Sequence, residues 1–304
     1  MPQTAVNRPK HFTAALLAAS AIVSTAVAAE FLPPPAGYTR SQLIFNDAFA
    51  SSSLDQIHWN PWLGDPRYGR WNDFGKLPNP YSGGNCPKRC STSYQIMYDD
   101  PYPYGFNVDV SGSHLLGGPW GLSIQAAPSS HFASLGYSWA ASAVSTASKT
   151  VLPATGGYVQ WHAKMPDSRY GAWGALWLLS ADGAELDVQE SGYIHGADPV
   201  NNVLASAWHG GGAQIIQNAG FDLSAAFHTY GVEYRPGQSW KVYLDGKLMA
   251  QWTTGVPTNA AYELIMDMEI AGPLAAGWHT VADARLDPGP FIEYIDDVQI
   301  YKLP

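Results

Sequence analysis

The chain has 304 residues and a formal net charge of −9, with 46% hydrophobic but only 13% charged residues. That length and apolar content allow one large buried core, whereas the acidic balance and the lack of any Lys/Arg run exclude phosphate-backbone and anionic-membrane binding. Twelve Trp, 17 Tyr, 30 Gly and 23 Pro argue against helical bundles and for short strands joined by tight turns.

In chain order, residues 1–29 have the three parts of a secretory signal. Arg8 and Lys10 come without an acid, an apolar run follows over 13–28, and Ala26-Val27-Ala28 offers a cleavage site near Ala28 or Ala29. The run is short for a bilayer and rich in Ala, Ser and Thr, so export with cleavage is expected rather than anchoring. Residues 30–38 include the Pro-rich FLPPPAGY and read as an extended spacer. Residues 39–304 contain no second linker, repeat or low-complexity boundary and are expected to form one domain. In an exported protein Cys86 and Cys90 are expected to close a small local disulfide rather than bind metal.

Strand-like runs bounded by Gly, Pro, Asn and Asp fall at 41–49, 121–126, 156–166, 174–180, 184–191, 202–210, 228–236, 239–252, 262–270 and 291–301. Within 239–252, Asp245-Gly246 supplies the positive φ angles of a tight hairpin. Many short strands in one domain predict an all-β sandwich or barrel of antiparallel sheets. In YELIMDMEI, alternation sends Leu264, Met266, Met268 and Ile270 to the core, and Glu263, Ile265, Asp267 and Glu269 to water or a wet groove.

The segment AELDVQES, 184–191, carries the chemistry. Leu186 and Val188 point inward, so Glu185 and Asp187 share the outer face, but Glu190 arrives one residue late. A β-bulge between Val188 and Glu190 absorbs the extra residue and returns Glu190 to that face. Two glutamates flanking an aspartate then form the carboxyl pair that a retaining glycosidase needs, one a nucleophile and the other an acid that later serves as base. Mutual repulsion among the three raises at least one pKa, which suits a protonated Glu190 beside an ionised Glu185.

On these residues the chain resembles glycoside hydrolase family 16 in its bulged Glu-x-Asp-x-x-Glu form, the laminarinase and endo-β-glucanase type. LIFNDAF, LDQIHWNP, GLSIQA, the block from GGYVQWHAKMP through AELDVQES, FHTYGVEYRPGQSWKVYLDGKLM and YIDDVQIY follow the family's landmarks in order from about residue 40. The resemblance implies a jelly roll of two curved antiparallel sheets with a concave sugar cleft. It assigns Glu185 as nucleophile, Asp187 as assisting acid and Glu190 as general acid/base. Trp173 and Trp177 match tryptophans just before the motif and His209 a histidine after it, so all three are expected at the substrate, with Trp161 and Trp208 as weaker candidates. Asp267 and Glu269 are expected to line the groove, which makes it too acidic for anionic glycans.

The implied activity is endo-hydrolysis of a β-1,3 or mixed β-1,3/1,4-glucan by a secreted monomer, with no nucleic-acid or membrane partner. An endo-glycanase or transglycosylase of bacterial exopolysaccharide and a non-catalytic lectin are the alternatives. No catalytic cofactor or metal is expected. The family's structural calcium would involve Asp296, but Ala48, the residue after Asp47, stands where the family has an acid, which weakens that expectation. The tryptophan that many laminarin-cleaving members carry before the first acid is also absent, Ser180-Ala181-Asp182-Gly183-Ala184 standing there instead.

Overall fold

The computed structural model describes residues 32–50, 54–55, 57–60, 95–98, 121–128, 139–146, 149–272, 275–281 and 289–304. The signal-like segment and the Cys86–Cys90 loop lie outside these residues. Phe31–Pro304 separates from residues 1–30 as one compact unit.

The described strands are β1 (Leu43–Asp47), β2 (Gln95–Tyr98), β3 (Leu122–Pro128), β4 (Trp139–Ser145), β5 (Val151–Leu152), β6 (Gly157–Lys164), β7 (Ala172–Ser180), β8 (Glu185–Glu190), β9 (Val203–Trp208), β10 (Ile215–Asn218), β11 (His228–Arg235), β12 (Ser239–Leu244), β13 (Lys247–Trp252), β14 (Tyr262–Ile270) and β15 (Phe291–Lys302). Every expected run became a strand. Four strands had no forecast, namely β2, β4, β5 and β10. WAASAVS in β4 is mostly Ala and Ser, residues with little strand preference, and its place between β14 and β3 decides its conformation.

Strand order runs β10-β9-β8-β7-β14-β4-β3-β15-β6-β11-β12-β13, with β1 on β15, β2 on β4 and β5 on β14. All these pairings are antiparallel except β2 with β4. The path bends at β4, which pairs with β14 on one side and β3 on the other, and the two halves close into a jelly-roll sandwich. Leu176, Leu178, Leu264, Met266 and Met268 from one half meet Val159, Trp161, Tyr230, Val232 and Ile295 from the other in a single buried core. The Asp245-Gly246 turn has positive φ at both residues, 49° and 77°, and joins β12 to β13 as the sequence predicts.

The Pro-rich segment is not a free spacer. Leu32 N–H donates to Asp297, the Pro33 carbonyl accepts from Gln160, and the Tyr38 ring packs on Tyr158 and Tyr301. At the calcium position the family implies, Asp296 Oδ1 lies 2.6 Å from His162 Nδ1, and Asp47 nearby in the sequence accepts from the Phe49 N–H and the Trp59 indole.

Candidate active site

A cleft crosses the outer face of β9, β8, β7 and β14, and Glu185, Asp187 and Glu190 all line it. The register shows how. Between β7 and β8, Ala175 opposes Glu190, Leu176 opposes Gln189 and Trp177 opposes Asp187, which leaves Val188 unmatched. Toward β9, Asp187 opposes Ala207 and Glu190 opposes Ala205, which leaves two intervening residues on one strand against one on the other. That is the β-bulge the spacing predicts, although against β7 the extra residue is Val188, one position earlier than expected. Ala175 and Trp177 are two apart on β7 and both line the cleft, so the acids opposite them share that face.

The bulge interrupts the ladder, and two side chains repair it. Buried Gln189 donates to the Val203 carbonyl at 3.2 Å and accepts from the Ala205 N–H at 3.2 Å. The Ser206 hydroxyl donates to the Val188 carbonyl at 2.7 Å.

The acids have distinct surroundings. Glu190 receives the Trp173 indole N–H on Oε1 at 3.2 Å and the Tyr193 hydroxyl on Oε2 at 3.3 Å. Burial pushes its carboxyl well above the usual carboxylate range, and the charges of Asp187, Glu185 and Glu269 add to the rise. On the other side, His209 Nε2 lies 2.8 Å from Asp187 Oδ2 and 3.5 Å from Glu185 Oε1. His209 thus sits against the acids, while its own side chain stays 55% exposed at the cleft wall. One imidazole nitrogen and two carboxylates lie within 4.8 Å of one another, a grouping that exposed acids commonly show without a metal ion.

The other expected residues divide. Trp177 is buried at the cleft floor, and its indole N–H donates to Asp267 Oδ1 at 2.8 Å. Asp267 lines the cleft, as expected, with only 2% of its surface exposed, whereas Ile265, expected on the same wet face, is fully buried in the core, which corrects that part of the reading. The Asp267 carboxyl is pushed well up by burial and by Glu269, against the pull of the Trp177 N–H. Glu269 lines the cleft half-buried. Trp208 edges the cleft, with its indole tied to the Thr254 carbonyl, while Trp161 is fully buried in the inter-sheet core and does not reach the site.

The lining residues without a forecast include Tyr193, Gln214 and Trp278. Tyr193 and Trp278 pack on Trp173, with ring centroids 6.3 and 5.4 Å away, and Gln214 joins them at the wall. Trp278 comes from a segment more than eighty positions beyond the acids, and no local pattern in the sequence ties the two. Together with Tyr193 it supplies aromatic surface to a cleft that lacks the tryptophan before Glu185.

Comparisons with known proteins agree with this geometry. The model of glycosyl hydrolases family 16 matches residues 125–285. The endo-1,3-1,4-beta-glycanases EglC and ExsH of Rhizobium meliloti (strain 1021) are 34% and 32% identical over 143 and 161 residues, 44% and 50% of this chain. Those stretches are 29% and 33% of EglC and ExsH, so the matched region spans about a third of these relatives. The laminarinase catalytic domain from Thermotoga maritima MSB8 shares the fold, with a TM-score of 0.60 at 20% identity over 86% of this chain and 98% of that one. The family model spans more than half of the sequence and brackets the bulged acid motif, and the chain belongs to glycosyl hydrolases family 16.

Proposed function

We propose that this protein is a retaining endo-glycosidase that hydrolyses internal linkages of a β-1,3 or mixed β-1,3/1,4-glucan. The observation that carries the reading is the bulge, which sets Glu185, Asp187 and Glu190 on one cleft face with Glu190 held protonated by burial. In the first step a Glu185 carboxylate oxygen bonds to the anomeric carbon as the glycosidic C–O bond breaks, and Glu190 gives its proton to the departing sugar oxygen. In the second, Glu190 takes a proton from water, the water oxygen displaces Glu185, and the sugar leaves with its original configuration. Asp187, with His209 against it, holds negative charge beside both glutamates.

Five carboxyl groups and, among the described residues, no Lys or Arg line the cleft, which gives a polyanion no cationic partner and suits a neutral glycan. The family match and the two endo-1,3-1,4-beta-glycanase relatives support the linkage class. Indole faces of Trp173, Trp177 and Trp278 are the proposed sugar platforms, together with His209, Asp267 and Glu269 as polar contacts. The signal-like residues 1–29 support export to the periplasm or beyond.

Digestion of laminarin, barley glucan and bacterial exopolysaccharides, followed by mass analysis, tests the activity. Internal cuts in the first two are expected. Glu185→Ala should abolish them, and azide should restore turnover as a glycosyl azide of inverted configuration. Binding without release of reducing ends by the wild type would establish a lectin instead.

A further inference from the structure

The segment 275–281 holds a histidine that the reaction as written does not use. His279 is 1% exposed, and its ring packs 4.7 Å from Trp173 and 5.5 Å from Tyr193, centroid to centroid. Those are the two side chains whose N–H and O–H reach the two oxygens of Glu190. At 3.2 and 3.3 Å both contacts are at the long end of useful hydrogen-bond lengths, so a small shift of either ring loses them.

The histidine is itself held from several directions. Its Nε2 lies 2.7 Å from the carbonyl of Ser191, the residue after Glu190, and its Nδ1 lies 2.8 Å from the Thr280 carbonyl. Ser191 is pinned to β7 beside Trp173, its N–H donating to the Gly174 carbonyl and its hydroxyl accepting from the Gly174 N–H. Around the ring, Ile194 N–H donates to the Trp278 carbonyl and Thr280 N–H to the Gly192 carbonyl. Gly192 makes the slot. Its φ is +95°, and a methyl group there would sit 2.2 Å from His279 Cε1.

We infer that His279 is a positioning residue for Glu190, keeping the Trp173 and Tyr193 donors on its two carboxyl oxygens. The inference rests on Glu190 being the general acid, and it separates this role from simple support of the fold. A residue acting through the acid matters only when the leaving group needs a proton. A glucan's departing alkoxide does, whereas 2,4-dinitrophenolate leaves without one.

The test compares kcat/KM, which reports the first irreversible step, on a β-glucan oligosaccharide and on 2,4-dinitrophenyl β-laminaribioside. General acid catalysis is worth roughly 10²–10⁴-fold, so His279→Ala should lose at least about 30-fold on the oligosaccharide and less than about threefold on the aryl glycoside. His279→Gln, which can place an amide N–H near the Nε2 position, should recover most of the lost activity. Should His279→Ala not fold, His279→Asn, which leaves a smaller void, is expected to show the same split. Equal losses on both substrates, or no loss on the oligosaccharide, would overturn the positioning role while leaving the enzyme intact. A wild type that cleaves neither substrate would instead overturn the reading of Glu190 and, with it, this inference.

Discussion

Glu190 is flanked by groups that pull its proton affinity in opposite directions, and single substitutions can separate them. The Tyr193 hydroxyl donates to the carboxylate and so favours the charged form, whereas the Asp187 charge disfavours it. Activity that needs protonated Glu190 falls as pH rises through its raised pKa, which places the alkaline limb of the kcat/KM profile at this residue. Tyr193→Phe should therefore move that limb to higher pH, and Asp187→Asn should move it to lower pH, each with reduced turnover. Limbs that moved together, or not at all, would remove the proposed coupling. The acids were legible in the sequence because alternation and one late glutamate sufficed to align them. Trp278 and His279 were not, because they pack on Tyr193 beside the acid only after segments remote in sequence fold together, and Tyr193 lies past the end of β8, where alternation no longer assigns a face.

At the scale of the element, the bulge depends on a residue whose value the sequence hides. In a regular strand, Gln189 would share the face of Glu185 and Asp187 and point to the cleft. In the bulged strand it is fully buried beside Val188, and its amide takes the place of missing ladder partners on β9. Gln189→Leu keeps the volume but strips the Val203 carbonyl and the Ala205 N–H of that amide, at a cost of about 1–3 kcal/mol. Urea unfolding should show a midpoint loss of that size with little change in slope, and turnover should fall as Glu190 loses its fixed direction. An unaltered midpoint would mean that the strand supports its own kink. The same contrast explains the strand forecast. Runs such as YELIMDMEI declare themselves by alternation, but β4 owes its form to its neighbours, and nothing in Ala-Ala-Ser-Ala specifies them.

At the scale of the whole molecule, the sandwich buries an acid outside the cleft. Glu293 on β15 has no exposed surface, and neither carboxyl oxygen has a hydrogen-bond partner among the described residues. The Tyr230 hydroxyl and Trp161 Nε1 are buried without partners as well. Alternation with Phe291 and Ile295 turns Glu293 inward, and Gly174 on the facing sheet makes room, since a methyl group there would lie 3.2 Å from Glu293 Oε2. Burial pushes the carboxyl well above its ordinary value, with a smaller push from Asp267. The sign of the effect on stability follows from proton linkage. Between the unfolded and the raised folded pKa, the native state binds the proton that the unfolded state releases, so stability falls as pH rises across that window. Glu293→Met removes the titration and the polar atoms, and Glu293→Gln removes the titration alone. The thermal midpoint of Glu293→Met should exceed that of the wild type by a margin that widens from pH 4 to pH 8. Glu293→Gln should show the same widening from a lower starting point, because its amide stays buried without partners. A margin constant with pH in both variants would show that Glu293 carries the same charge folded and unfolded, and that the core shelters its carboxylate by some other means.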